Sequence, residues 1–235
     1  MREATISLDF QAVEALTFDC YGTLIDWERG LLAALRPVVA AHAVSVADDD
    51  LLELYARLEA ELEVGAYLPY REILARVVDR VGQALGFTPR ADERQALGAA
   101  IRAWPPFPDT VPALRQLKTR FKLGVISNID DDLFTSRLEV ELDWLVTAQQ
   151  ARAYKPSLKP FELALERMRL PVSRVVHVAQ SLYHDHVPAH QLGLRTVWVN
   201  RRAGQPGSGA TPPAEAAPDL EVPTLAALAQ LAAPS

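Results

Sequence analysis

The sequence predicts a three-layer α/β fold: a parallel sheet covered by helices on both faces, with a helical cap inserted after the first strand. Three observations lead there. Short apolar, β-branched runs recur along the chain, helical patterns separate most of them, and one long stretch after the first run contains little that reads as strand. Parallel strands cannot be joined by a tight turn, so strands alternating with helices imply crossover connections and a parallel sheet.

The predicted strands are, in order, residues 15–18, 123–126, 144–147, 175–179 and 196–199. Between them, 112–117 opens a helix after the turn at Asp109, 161–168 repeats apolar residues at helical spacing, and 187–192 is a helix stopped by Gly193. The block from 27 to 104 breaks the rhythm. It is rich in Ala, Leu, Glu and Arg, and Leu51, Leu52, Leu54, Tyr55 and Leu58, then Ile73, Leu74, Val77, Val78 and Val81, recur at helical intervals. Pro105, Pro106 and Pro108 end it, because proline resists continuing a helix. The chain therefore divides into a core, 1–26 and 105–235, and an inserted helical cap, 27–104. Gly, Pro, Ala and Ser dominate 203–218, which composition marks as a mobile surface loop. A short helix over 225–231 closes the chain.

Composition narrows the class. The chain has 235 residues, 49% hydrophobic and 23% charged, which is ordinary for a globular protein. A formal charge of -6 argues against a nucleic-acid partner, and the Arg201-Arg202 pair reads as a solvated strand end. The single cysteine, Cys20, excludes an internal disulfide and suits a reducing cytosol. No amino-terminal signal and no membrane-length apolar run is evident, so the expected location is cytoplasmic, with no membrane partner.

The chemistry centres on Asp19, which ends the first strand in the string Phe18-Asp19-Cys20-Tyr21-Gly22-Thr23-Leu24-Ile25-Asp26. Open α/β sheets place their chemistry at the carboxyl ends of parallel strands. Gly22 permits a sharp turn there, and Thr23 offers a hydroxyl to an anion or to the carboxylate. A lone Asp after a strand is ordinarily a helix cap or turn residue. Three further strand-end segments stand with it: Ser127-Asn128 after 123–126, Tyr154-Lys155-Pro156, and Gln180-Ser181-Leu182-Tyr183-His184-Asp185 after 175–179.

This ordered set closely resembles the four motifs of the haloacid dehalogenase superfamily of hydrolases, over nearly the whole chain. The resemblance implies a Rossmann-like core, a cap that closes over the site, and Asp19 as nucleophile, attacking carbon or phosphorus to form a covalent aspartyl intermediate. Phosphatases of that family carry a second Asp at the position of Tyr21, to protonate a departing alkoxide. Tyr21 is the residue type of the 2-haloacid dehalogenase branch, where the departing halide needs no proton. The family's magnesium site commonly has an Asp where this chain has Gln180, and a carbonyl dipole in place of a charge weakens such a site. The resemblance thus favours hydrolytic dehalogenation of a small anionic 2-haloacid, without a cofactor. Lys155 keeps the nucleophile ionised, Thr23, Ser127 and Asn128 position the substrate, and Asp185 with Gln180 directs water at the ester. Tyr21 packs over the pocket. In that branch a cap arginine receives the halide and the substrate carboxylate, and Arg57 is the first candidate and Arg71 the second. Trp27, Tyr67 and Tyr70 are candidate pocket walls. The chain departs from the branch at Leu182, where a small polar residue is usual, and at Phe161, where a tyrosine is usual. His184 is a base by its ordinary pKa or a histidine outside the site. The His184/His186 pair, with no third ligand nearby, does not read as a metal site.

Two other readings stay open at this point. In a magnesium-dependent (Mg2+) phosphatase, Asp19 and Asp185 hold the metal with the carbonyl of Tyr21. In a catalytically weak binding protein, the fold survives without turnover. An apolar cap surface is compatible with a homodimer.

Overall fold

The computed structural model describes residues 8–135 and 137–233. In chain order its main elements are β1 (Ala15–Phe18), α1 (Trp27–Ala41), α2 (Asp48–Glu63), α3 (Tyr70–Leu85), α4 (Ala96–Ala100), α5 (Thr110–Lys118), β2 (Lys122–Ser127), β3 (Trp144–Thr147), α6 (Ala148–Ala151), α7 (Lys159–Met168), β4 (Val175–Ala179), α8 (Val187–Gln191), β5 (Arg195–Val199), β6 (Leu220–Val222) and α9 (Leu225–Leu231). The six strands form one sheet in the order β3-β2-β1-β4-β5-β6, every pairing parallel. β1 is flanked by β2 on one side and β4 on the other, so the chain reverses its winding direction there. The carboxyl end of β1 is therefore the sheet's topological switch point, where a crevice opens for ligands.

All four residues of β1 are buried, as are all five of β4, which is why both read as mainly apolar runs rather than alternating ones; the two polar residues, Thr17 and His177, face each other across the strands at 2.9 Å. Leu16, Phe18, Leu123, Val125, Val176 and Val178 belong to the large core cluster, while Ala15, Ile126, Val175 and Phe161 belong to a second one. Each fully buried Leu or Phe contributes roughly 1.5–3 kcal/mol. The strand β6 has no counterpart in the predicted set. It is a three-residue edge strand with an exposed Glu221 at its centre, too short and too polar to stand out.

The helices α1 to α4 all lie between β1 and β2 and pack on one another, α2 against α3 and α1 against α4. The core clasps this insert by a specific contact. No side chain of α3's own capping residue, Pro69, covers its first amides. Asp130, in the loop after β2, supplies the acceptors instead: Oδ1 takes the Tyr70 amide (2.9 Å) and the Tyr67 hydroxyl (2.9 Å), and Oδ2 takes the Arg71 amide (3.0 Å). The Tyr154 hydroxyl adds a bond to the Leu68 carbonyl at 2.7 Å. A carboxylate at a helix start also meets the positive end of the helix dipole.

The segment 203–218 departs from the expected surface loop. Ala210 and Thr211 are buried, and Glu28 of α1 accepts both the Ala210 amide (2.9 Å) and the Arg202 guanidinium (2.6 Å). Gly209 lies in the left-handed region, with φ 66°, and a Cβ there would displace Glu28 Oε1, so glycine suits this approach. Among the described residues, no helix is long and apolar enough to cross a membrane.

Candidate active site

Asp19 leaves β1 at the switch point, and its two oxygens are held separately. Lys155 Nζ donates to Oδ1 at 2.8 Å, and the Thr23 hydroxyl donates to Oδ2 at 2.8 Å. Thr23 is placed by the tight turn at Gly22, whose φ of 98° suits glycine, and its hydroxyl in turn accepts the Gln180 amide at 2.9 Å. Lys155 is 1% exposed and uses all its protons, donating also to Asp185 Oδ1 (2.7 Å) and to the Ile126 carbonyl (2.9 Å). Asn128 fixes the lysine's backbone: its Oδ1 accepts the Lys155 amide (2.7 Å) and its Nδ2 donates to the Lys155 carbonyl (3.0 Å). Behind Asp185, His177 Nε2 lies 2.9 Å from Oδ1 and His177 Nδ1 lies 2.9 Å from the Thr17 hydroxyl. With an ionised carboxylate as acceptor, Nε2 carries the proton and Thr17 donates to Nδ1.

The single ammonium does not serve its two carboxylates equally. Burial opposes the charge on Asp185, but Lys155 and the hydrogen bond from His177 outweigh it and hold this carboxyl well below the usual range. Burial likewise opposes the Lys155 charge, and Asp185 and Asp19 together push its pKa up. For Asp19, burial and the neighbouring Asp185 prevail over Lys155 and leave its pKa raised. Lys155 and His177 together hold Asp185 in its charged form, while Asp19 shares the same ammonium and has the Thr23 hydroxyl as its other donor. Burial pushes the Tyr21 phenol up, out of the range of a proton donor for neutral chemistry.

These groups line a cavity of about 30 Å³ under the cap, with walls that include Tyr21, Trp27, Ser127, Asn128, Ser181, His184 and Thr211. The cap itself contributes Tyr70 and two carboxylates, Glu59 and Glu63. Glu59 Oε1 accepts the hydroxyls of Tyr55 and Tyr70, each at 2.5 Å, and burial pushes its pKa up to about 7 against those bonds. Burial and the adjacent Glu59 push Glu63 well above the usual range, against the pull of Lys155 and Asn128. Burial brings His184 down to about 4, so its ring is neutral.

Of the predicted site residues, the structure brings Asp19, Tyr21, Thr23, Ser127, Asn128, Lys155 and Asp185 together, with Trp27 and Tyr70 as walls. Arg57 lies elsewhere. It sits on the outer face of α2, paired with Glu61 and largely exposed, because its helical position points away from the stripe that α2 buries. Arg71 is also outward, paired with Asp132, and Tyr67 packs on Tyr154 outside the cavity. The Gln180 side chain does not itself line the cavity: its Oε1 accepts the hydroxyl of the wall residue Thr211 at 3.3 Å, and its amide reaches Asp19 through Thr23. Leu182 also lies outside the cavity, and Phe161 is buried edge-on against His177. Glu59 and Glu63 were missed because charged residues in a helix are ordinarily assigned to solvent. Both fall one helical turn apart on the stripe of Leu51, Leu52, Tyr55 and Leu58, which was the available signal.

The donor set does not fit a magnesium ion. Asp19 and Asp185 are bridged by the Lys155 ammonium, the Gln180 side chain does not line the cavity, and among the described residues no group of three His, Cys, Asp or Glu side chains is placed to hold a metal. His186 bonds the Ala179 carbonyl and His190 the Thr196 hydroxyl, so both serve the core. Cys20 is free and fully buried.

A buried carboxylate at a switch point, backed by lysine and roofed by a helical cap, defines a capped α/β hydrolase. The model of the haloacid dehalogenase-like hydrolases matches residues 13–183, and the chain belongs to that family. An (S)-2-haloacid dehalogenase of Pseudomonas fluorescens is 25% identical over 203 residues, 82% of this chain and 86% of its own. One from Pseudomonas sp. strain YL is 28% identical over 239 residues, 93% and 94% of the two chains. The L-2-haloacid dehalogenase structure from Xanthobacter autotrophicus has the same fold, with a TM-score of 0.76 at 19% identity over 93% of this chain and 98% of its own.

Proposed function

We propose that this hydrolase dehalogenates small 2-haloacids through an ester on Asp19. The observation that carries the reading is the nucleophile's setting: a reactive carboxylate held by Lys155 and Thr23, beside a Tyr21 that cannot act as an acid. An Asp19 oxygen attacks the substrate's α-carbon, the new C–O bond forms, and the carbon–halogen bond breaks with its electron pair leaving on the halide. Halide needs no proton, so Tyr21 suffices where a phosphatase needs an acid. Water then adds to the ester carbonyl, and the 2-hydroxyacid departs as its alkoxide oxygen takes up a proton. Esterification removes the charge of Asp19, which leaves Asp185 as the ionised acceptor beside the ester. Its buried Oδ2, without a partner in the resting site, accepts from the attacking water.

The same reading places the enzyme in the cytoplasm, with the core and cap dividing at about residues 27 and 104. A homodimer through the cap face where Val64 stands 77% exposed belongs to it too, and gel filtration decides that point. The activity test is halide release from chloroacetate and (S)-2-chloropropionate with excess EDTA, alongside Asp19→Asn. EDTA-resistant release that the substitution abolishes supports the proposal. Release only from phosphate esters, and only with magnesium, overturns it.

A further inference from the structure

The cavity contains one ammonium, Lys155, and all three of its protons are spent on Asp19, Asp185 and the Ile126 carbonyl. Among the described residues no arginine lines it, and four carboxylates do: Asp19, Asp185, Glu59 and Glu63. A substrate carboxylate entering this space as another full negative charge would meet only repulsion if all four were ionised. The geometry around the cap pair shows which of them is not. Glu59 and Glu63 stand one turn apart on α2, too close to share a buried site as two anions. Glu59 receives two short phenol bonds, from Tyr55 and Tyr70. Glu63 has only long contacts from Asn128 Nδ2, at 3.3 and 3.4 Å, and His184 Nε2 at 3.9 Å. The better-solvated partner keeps the charge, and Glu63 keeps the proton. The shifts agree, Glu63 standing well above its ordinary value and Glu59 at about 7.

Two neighbours add donors without charge. Ser181 Oγ accepts the His184 amide at 2.9 Å and lies 3.2 Å from His184 Nδ1; in the tautomer where the Ser181 hydroxyl donates to Nδ1, the ring proton sits on Nε2. That nitrogen is buried without a hydrogen-bond partner, and so is the Ser127 hydroxyl; both residues line the cavity.

We propose that Glu63, as a neutral carboxylic acid, donates a hydrogen bond to the substrate's carboxylate, with His184 Nε2 and Ser127 Oγ as the accompanying donors, in place of a cap arginine. The proposal rests on reading the cavity as one for 2-haloacids. The groups that face Glu63 are Glu59 and Tyr55 on α2, Tyr70 on α3, Tyr154, Lys155 and Asn128 from the core, and His184. Binding needs the protonated form, so affinity is full below Glu63's folded pKa and falls as pH rises through it.

The test compares wild type with Glu63→Gln, which is isosteric and a donor at every pH. For (S)-2-chloropropionate, wild-type kcat/KM should fall above Glu63's titration by about tenfold per pH unit, the slope for one required proton, with the change in KM. Glu63→Gln should stay within a few fold of the wild-type maximum and lose that fall. Protonation of Asp19 also favours an anion, but it persists in the variant, so the difference between profiles belongs to Glu63. A flat wild-type profile, an unchanged profile in the variant, or faster turnover of chloroacetamide than of chloroacetate that the variant abolishes would each overturn the proposal; the last would show Glu63 to be an ionised acceptor. If wild type releases no halide from any 2-haloacid, the dehalogenase reading fails by itself, and calorimetric binding of unreactive propionate then decides. Binding that weakens as pH is raised, with that fall lost in Glu63→Gln, supports the role of Glu63, and absent binding or a fall that the variant keeps overturns it.

Discussion

Lys155→Met tests the electrostatic centre of the site. The substitution keeps the length of the side chain and removes a 1%-exposed ammonium that bridges Asp19 and Asp185 at 2.8 and 2.7 Å. Two adjacent buried carboxylates then face each other without compensation, and the Ile126 carbonyl loses its donor. Breaking a buried pair from one side costs about 3–5 kcal/mol, since the abandoned charge cannot return to water. With a urea slope of about 2–3 kcal/mol per molar for a chain of this size, the unfolding midpoint at pH 8 should drop by roughly 1–2 M. The pH dependence has a definite sign. In the wild type Asp185 is depressed below its unfolded value, so its contribution is present above that value and lost as pH falls. In the variant both carboxyls are raised, so acidification protonates one of them and relieves the penalty. The gap between the two proteins should therefore narrow from pH 8 to pH 5, followed by tryptophan fluorescence in urea. An equal midpoint at pH 8, or a gap that widens on acidification, would refute the assignment of Lys155 as the shared counter-charge.

The remaining predictions concern single contacts. Thr23→Val removes a hydroxyl that donates to Asp19 and accepts from the Gln180 amide, and loss of a hydrogen bond to a charged group, worth about 1.5–3 kcal/mol, should lower kcat for halide release roughly 10- to 150-fold. Gln180→Ala should leave the steady-state constants within about twofold, since the side chain points to Thr211 and the amide is retained. Arg57→Ala should leave KM unchanged, and its exposed pair with Glu61 contributes at most about 1 kcal/mol of stability by thermal melting. Asp130→Ala uncovers the first amides of α3, costs about 1 kcal/mol as a lost helix cap, and should raise KM as the cap loosens on the core.

The sheet was legible because its central strands are buried on both faces, so their apolar runs end where the pairing ends. β1, β3 and β4 coincide with the predicted runs, while β6 escapes a reading based on apolar length. The core half of the site was legible for a related reason. Asp19, Ser127 and Asn128 stand at or just beyond carboxyl ends of strands, and parallel register alone brings such ends together. The cap half was not, because helical periodicity specifies which stripe is buried but not which partners await it. Arg57 and Glu59 are two residues apart on α2, yet one meets solvent and the other Tyr70 from a separate helix. The family resemblance suggested an arginine as the inward group, but an amphipathic helix selects by position. A carboxylate in the buried stripe is admitted once phenols and a shared proton neutralise its cost. That substitution of position for charge has a mechanistic consequence. A guanidinium would hold a substrate carboxylate at every pH, whereas a cap built from Glu59 and Glu63 ties recognition to protonation, and the reactive carboxylate below must stay ionised while the one above stays neutral. The donors differ in that sense: Asp19 has Lys155 and Thr23 at 2.8 Å each, whereas Glu63 has only the long contacts from Asn128.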